Sequence, residues 1–323
     1  MSHASAPSVE INVITPVFRE LASGLQFPEG PIAMPDGSVI LVEVRRQTLT
    51  RVTPDGQVEI IAKFGGGPNG AAIGPDGRIY VANNGGLDWS VDAQGDTLPR
   101  VWPDDAPGGA IQLVDLRSGQ VETLYDRCDG RLLSAPNDLV FDDDGGFWFT
   151  DFGKVRARSS DRGGVYYARA DGSRIEEKVF PLEGPNGIGL SPDGKRLYVA
   201  ETVTARCWAY DVEAPGVLAA GAGLLGERGH LLAGLGGHQW FDSLAVDAAG
   251  HICVATPLTG AVSDMWPDGS RVDQYLLPDP MVTNVCFGGQ DLRTAFATLS
   301  MRGRLVAFEW PRPGAGLKHL NRP

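Results

Sequence analysis

One motif recurs six times along the chain: a polar residue, a short apolar strand, a Pro-Asp-Gly or related turn, and a second apolar strand. The clearest copy is Gly184-Pro185-Asn186-Gly187-Ile188-Gly189-Leu190-Ser191-Pro192-Asp193-Gly194, continuing through Leu197-Tyr198-Val199-Ala200-Glu201-Thr202. The polar heads of the six copies are Glu29, Asn69, Asn137, Asn186, Asp242 and Thr283, spaced 40, 68, 49, 56 and 41 residues apart. A unit repeated at such a period cannot bury its apolar face alone and must stack on its neighbours. Asp-Gly between apolar runs marks a hairpin, because the tight turn needs positive φ. Further strand pairs lie between the units, as at 49–52 and 58–61 around Asp55-Gly56, and at 261–266 and 272–276 around Asp268-Gly269. Each repeat therefore carries about four strands, the content of a propeller blade. The predicted fold is all-β: a six-bladed β-propeller with four-stranded blades around a central channel. The 43 glycines and 23 prolines suit many short strands and turns. Helical periodicity is absent, with room for one short helix near 214–229.

Closing such a ring needs the two chain ends to share a blade. Within a single domain over 1–323, a strand over about 12–21 is expected to complete the last blade beside 303–310. The tail over 311–323 is expected to be loose. The widest gap between heads, 68 residues, contains a Gly/Pro-rich excess over 83–109 that holds Trp89 and Trp102. Long loops in compact domains are usually functional, and this one reads as a lid over one mouth of the channel.

Equivalent positions of a closed ring converge on its axis. Glu29, Asn137, Asn186 and Asp242 then form a cluster of two carboxylates and two amide carbonyls. Such an oxygen-only set suits one hard divalent cation, Ca²⁺ first, with Mg²⁺, Mn²⁺ or Zn²⁺ as alternatives. Four protein ligands leave positions open for water and substrate, as a catalytic site requires. Asn69 offers a fifth oxygen at the same repeat position and reads as a substrate contact. Asp138, directly after Asn137, reads as a supporting carboxylate or a general base. His238, four residues before Asp242, is placed to reach the channel mouth. The remaining histidines, His3, His230, His251 and His319, read as solvated or packed. No H-E-x-x-H, G-x-S-x-G or P-loop sequence is present.

Net charge is −12, which repels phosphate backbones and excludes nucleic acid as a partner. Cys128, Cys207, Cys253 and Cys286 are scattered without a C-x-x-C pair. They read as buried free thiols in a reducing compartment. Residues 1–23 show no basic segment followed by an apolar run, and no stretch approaches 18 apolar residues. The expectation is a cytoplasmic monomer or homodimer without a membrane partner.

Several segments resemble the senescence-marker-protein/gluconolactonase family over about 20–310. They are Phe27-Pro28-Glu29-Gly30-Pro31, Pro136-Asn137-Asp138, Phe149-Thr150-Asp151, the run Pro185 to Gly194, and Thr283-Asn284-Val285-Cys286-Phe287-Gly288-Gly289. Gly163-Gly164-Val165-Tyr166-Tyr167 looks most like the drug-responsive lactonase branch. The resemblance implies a calcium-dependent propeller that opens lactones. By position it implies metal ligands at Glu29, Asn137, Asn186 and Asp242, the same four that the repeat brings together. Sugar lactonases of the family often carry Arg two residues before the Asn of Asn-Asp. Here that position is Ala135, which turns the pocket toward less polar lactones, with Trp89, Trp102 and Trp240 as candidate walls. The implied reaction is hydrolysis of a small lactone to its hydroxy acid. The metal would polarise the carbonyl, and Asp242 or Asp138 would be the general base. Phosphotriester hydrolysis at the same site, or a non-catalytic calcium-binding propeller, are the alternatives. Strictosidine-synthase-like enzymes normally lack the full ligand set.

Overall fold

A computed structural model describes residues 9–221 and 229–322. Among them every regular element is a strand. Part of the stretch where a short helix was expected, 222–228, lies outside the described residues, and Val217–Leu218 within the remainder is a strand.

The six repeats form six sheets of a β-propeller, each built outward from an inner strand. The inner strands are Pro28–Ala33, Pro68–Ile73, Pro136–Phe141, Pro185–Leu190, Leu244–Val246 and Val282–Gly288. Each touches the next in order, and the last touches the first, so the ring is closed. The second strand of each blade is a buried apolar run, such as Val39–Glu43 and Ile79–Asn83. Such strands are covered on both faces by neighbouring blades, so alternation disappears. Outer strands are wetter, as Val58–Lys63 shows. Each interface between blades has its own apolar core. Between blades one and two it contains Ile32, Ile40, Val81 and Val114. Between blades three and four it contains Trp148, Tyr167, Ile188 and Val199.

The chain ends depart from the sequence expectation in two ways. The segment read as one strand over about 12–21 is two strands. Glu10–Ile14 runs parallel to Arg271–Leu276 on the rim of blade five. Phe18–Ala22 pairs antiparallel with Arg304–Glu309 and supplies the outer strand of blade six. Pro16, between them, has no N–H to donate and suits the crossing. The N-terminal segment therefore ties two blades together.

The second departure is the tail, which is docked. Arg312 pairs with Asp247 and Asp264, both fully buried in blade five. The Ala315 amide donates to the Val246 carbonyl at 3.0 Å. Leu320 packs on the core between blades one and two. The His319 ring meets Phe141 edge-on at 5.3 Å, and Arg322 pairs with Asp143 of blade three at 2.9 Å. The arm therefore spans from blade five to blade three across the channel. A composition rich in Pro, Gly and Lys concealed the one arginine that two buried carboxylates require. Arg312→Ala would leave both carboxylates without their cation. It should cost about 3 kcal/mol in chemical denaturation. Arg174→Ala, which breaks only the exposed pair with Glu176, should cost under about 0.5 kcal/mol.

Candidate metal centre

The head residues do not sit on regular pleats. In five blades the pairing of the inner with the second strand slips at the head: between Glu29 and Ile32, Pro68 and Ala71, Pro136 and Leu139, Pro185 and Ile188, and Val282 and Asn284. A bulge re-aims side chains that strict alternation would separate. That is how adjacent residues Asn137 and Asp138 are both buried beside the same ring.

A second repeated device fixes the heads of blades one to four. The last residue of the second strand hydrogen-bonds the backbone just before the inner strand. Glu43 accepts from the Gln26 amide at 2.7 Å, and Asn83 accepts from Gly67 at 2.9 Å. Asp151 accepts from Ser134 and Ala135, both at 2.7 Å, and Glu201 accepts from Glu183 at 2.9 Å. Phe-Thr-Asp at 149–151 is thus a clamp on the loop that delivers Asn137. Glycine follows the head where neighbouring inner strands nearly touch. A Cβ on Gly187 would lie 2.5 Å from the Leu244 nitrogen and 2.6 Å from the Asp242 oxygen.

The ring gathers three carboxyl groups. Glu29 is buried, and its Oε2 accepts from the Gly30 amide at 3.0 Å and from Asn284 Nδ2 at 2.9 Å. Burial pushes its pKa up to about 7, against the pull of hydrogen bonds from Thr283, Asn284 and Gly30. Burial, and then the Glu29 charge, raises Asp138 to about 7 as well. Asp242, half-buried on the channel surface, is held well above the ordinary carboxylate range by burial, then by Glu29 and, more weakly, Asp138. Three carboxyls that each disfavour the others' charge make a site that calls for a cation.

The two amides complete the set. Asn186 Nδ2 donates to Thr202 Oγ1 at 3.1 Å, which fixes the amide orientation. Thr150 Oγ1 donates to the backbone carbonyl of Asn186 at 2.5 Å and accepts from the Asp138 backbone amide at 3.1 Å. The Oδ1 atoms of Asn137 and Asn186 are buried and have no hydrogen-bond partner. A buried carbonyl left unpaired costs about 1–3 kcal/mol. Two such atoms beside raised-pKa carboxyls fit an oxygen-liganded divalent cation, so the residues present suit the group that the sequence implied.

Another buried trio, Asp247, Cys253 and Asp264, has its ligand-type atoms close together. Arg312 lies on both of its carboxylates, so a guanidinium is the cation there.

The other expected residues divide. Asn69 heads the second inner strand, half-buried between the blades of Glu29 and Asn137. The 83–109 segment arches over the head end of the channel. It carries a short hairpin, Trp89–Val91 with Thr97–Pro99, and is pinned by Thr97 N to Met301 O at 2.8 Å and Trp102 N to Val155 O at 2.9 Å. Trp89 packs on Phe27, ring centroids 4.9 Å apart. Leu87, Trp240, Met281 and Met301 join the same apolar cluster. Trp102 is different from the expectation. It is buried beneath the segment, its Nε1 donating to the Asn84 carbonyl at 3.3 Å, and it anchors the arch instead of facing the mouth. His238 is exposed on the loop before Asp242. Glycines 236 and 237 carry that loop outward. Asn284, Thr150 and Thr202 were missed. Asn284 follows its head as Asp138 does, and that shared offset was the available signal.

A closed six-bladed propeller with an oxygen-lined ring at its axis defines the class. The SMP-30/Gluconolactonase/LRE-like region family matches residues 27–301, and the chain belongs to that family. It is 29% identical to a gluconolactonase of Zymomonas mobilis, covering 92% of this chain and 83% of that protein. It is 31% identical to lactonase drp35 of Staphylococcus saprophyticus, covering 79% of this chain and 71% of that protein. Among solved structures, a gluconolactonase of Xanthomonas campestris superposes with a TM-score of 0.71 at 21% identity, over 96% of this chain and 99% of that one. Regucalcin of Agrobacterium tumefaciens, a calcium-binding protein, gives 0.72 at 18% identity, over 97% and 99%. At those identities the two structures share the fold.

Asp242→Asn separates the charge of the ring from its shape. Without added metal the variant should be about 1–2 kcal/mol more stable than the parent, because one buried like charge is gone. With Ca²⁺ at a hundredfold excess over Kd the parent should gain about 2.7 kcal/mol and overtake it. Thermal denaturation with chelator and with Ca²⁺ reads both halves.

Proposed function

We propose that the chain is a divalent-metal-dependent lactonase, hydrolysing a small lactone to its hydroxy acid. The observation that carries this reading is the pair of unpaired buried amide oxygens, Asn137 Oδ1 and Asn186 Oδ1, in one ring with three mutually repelling carboxyls. Glu29, Asn137, Asn186 and Asp242 would hold the ion. The absence of His and Cys from that set favours a hard cation, Ca²⁺ first. Bound there, it would supply Lewis-acid polarisation of a carbonyl oxygen and a more acidic water.

The chain's own groups do the rest. Asp138, raised to about 7, suits proton transfer near neutral pH. It would take a proton from the attacking water and return it to the ring oxygen as the C–O bond breaks. Asn284 holds Glu29 through a 2.9 Å hydrogen bond. The apolar arch of Phe27, Leu87, Trp89 and Trp240 would cover the substrate and exclude bulk water. Relatives named as gluconolactonase and lactonase support the ester class over a phosphotriester. Four buried free cysteines support a reducing, cytoplasmic setting.

Asp138→Asn should lower kcat for lactone hydrolysis by about 10²–10⁴ with metal content unchanged. Asp242→Ala should lose both metal and turnover. Wild-type turnover with full metal occupancy in Asp242→Ala would refute the assignment.

A further inference from the structure

The channel has a second space beyond the oxygen ring, which shares only Asp138 and Asn284 with the lactonase reading. It is a cavity of ≈ 320 Å³ lined by the residues that follow each head, not by the heads Glu29, Asn137, Asn186 and Asp242. Inner strands run from their heads to the turns after residues 33, 73, 141, 190, 246 and 288. The lid segment crosses the head end, so this chamber lies on the far side of the oxygen ring. Its walls include Ile32, Ile73, Leu139, Ile188, Leu244 and Val285. At the inner end the carboxyl of Asp138 and the amide of Asn284 also border it. Across its outer end lies the C-terminal arm, 315–318 with Leu320 and Arg322.

We infer that this chamber is a second ligand site, entered from the face opposite the lid, for a compact apolar molecule with a single hydrogen-bond donor. Three observations point there. The volume lies in the range of small-molecule pockets. Aliphatic side chains from six blades line its inner part, the kind of wall that takes aromatic rings, while Asp142, Asp143, Asp193, Lys195 and Glu213 border its outer part. The carboxyl at its closed end, Asp138, accepts from the Leu139 amide at 2.8 Å and, with two oxygens, has room to accept from one further hydroxyl or N–H. A sugar lactone would leave several hydroxyls unpaired against these walls, so this site selects a different chemistry from the ring above.

The arm is its door. The near end is fastened by Arg312 to Asp247 and Asp264. Gly314 is wedged at Phe287, where a Cβ would lie 2.3 Å from the Phe287 Cβ. The far end is held by the half-exposed Leu320, by the His319 ring on Phe141 and by Arg322 on the exposed Asp143. Contacts of that kind open at lower free energy than the latch, so the segment beyond Leu317 moves while Arg312 stays.

The test uses 5-fluoroindole, an apolar bicycle with one N–H, followed by ¹⁹F NMR without lactone, so that its outcome is independent of the lactonase assignment. The full-length chain should bind one equivalent. Ala245→Phe, which fills the chamber wall on blade five, should weaken binding at least tenfold, with Ala72→Phe on blade two as the second filler should the first not fold. Trp89→Ala, on the lid side, should leave the affinity within twofold. A chain ending at Leu317 should exchange the ligand at least tenfold faster. Absence of binding, equal affinity in the folded filler variant, or loss of binding in Trp89→Ala would overturn the proposal. Unchanged exchange in the shortened chain would overturn the door.

Discussion

The structure turns on the mutual repulsion of Glu29, Asp138 and Asp242 in a space with little water. Burial pushes each carboxyl above its ordinary range, and the Glu29 charge adds to the shift of Asp138 and Asp242. A fold tolerates such a cluster only where something offsets it. Protein hydrogen bonds offset part: Asn284 and the Gly30 amide on Glu29, and the Leu139 amide on Asp138 at 2.8 Å. Under the proposed function, a divalent cation would offset the remainder and pair the two amide oxygens, so that groups costly alone would become favourable together.

The rest of the ring exists to hold those groups still. Five of the six heads are delivered by a bulge, and those of blades one to four are gripped by a polar residue at the end of the neighbouring strand. Each blade is set by an apolar core shared with the next. Because the six interfaces form a closed circle, displacement of one head must strain two cores. Precision at the axis thus comes from packing 10 Å or so away. The N-terminal segment and the C-terminal arm extend the same logic, tying blade five to blade six on the rim and blade five to blade three across the far mouth.

Much of this was legible in the sequence, for a physical reason. A repeat converts distance along the chain into equivalence around an axis, so four heads from distant segments could be superposed before any coordinates. The turn chemistry of Asp-Gly and the apolar runs gave the blades. What escaped depended on contacts the repeat does not encode. Asn284 and Thr150 act through hydrogen bonds to other blades. Trp102 follows an irregular path that no periodicity describes, and it turned inward. Arg312 sits in a tail whose composition reads as loose, yet its partners are two buried carboxylates 48 and 65 residues upstream. The N-terminal split between two blades hinges on Pro16, a breaker inside an otherwise strand-like run.

The most direct measurement is equilibrium dialysis of the chelator-stripped chain against Ca²⁺, compared with the doubly substituted Asn137→Leu/Asn186→Leu chain. Those substitutions keep the branched side-chain shape and remove the two unpaired Oδ1 atoms, together with the Asn186–Thr202 hydrogen bond. The account predicts one ion per chain in the parent and an affinity at least tenfold lower in the variant, with the same far-UV circular dichroism. Equal affinity in the two folded chains would contradict it.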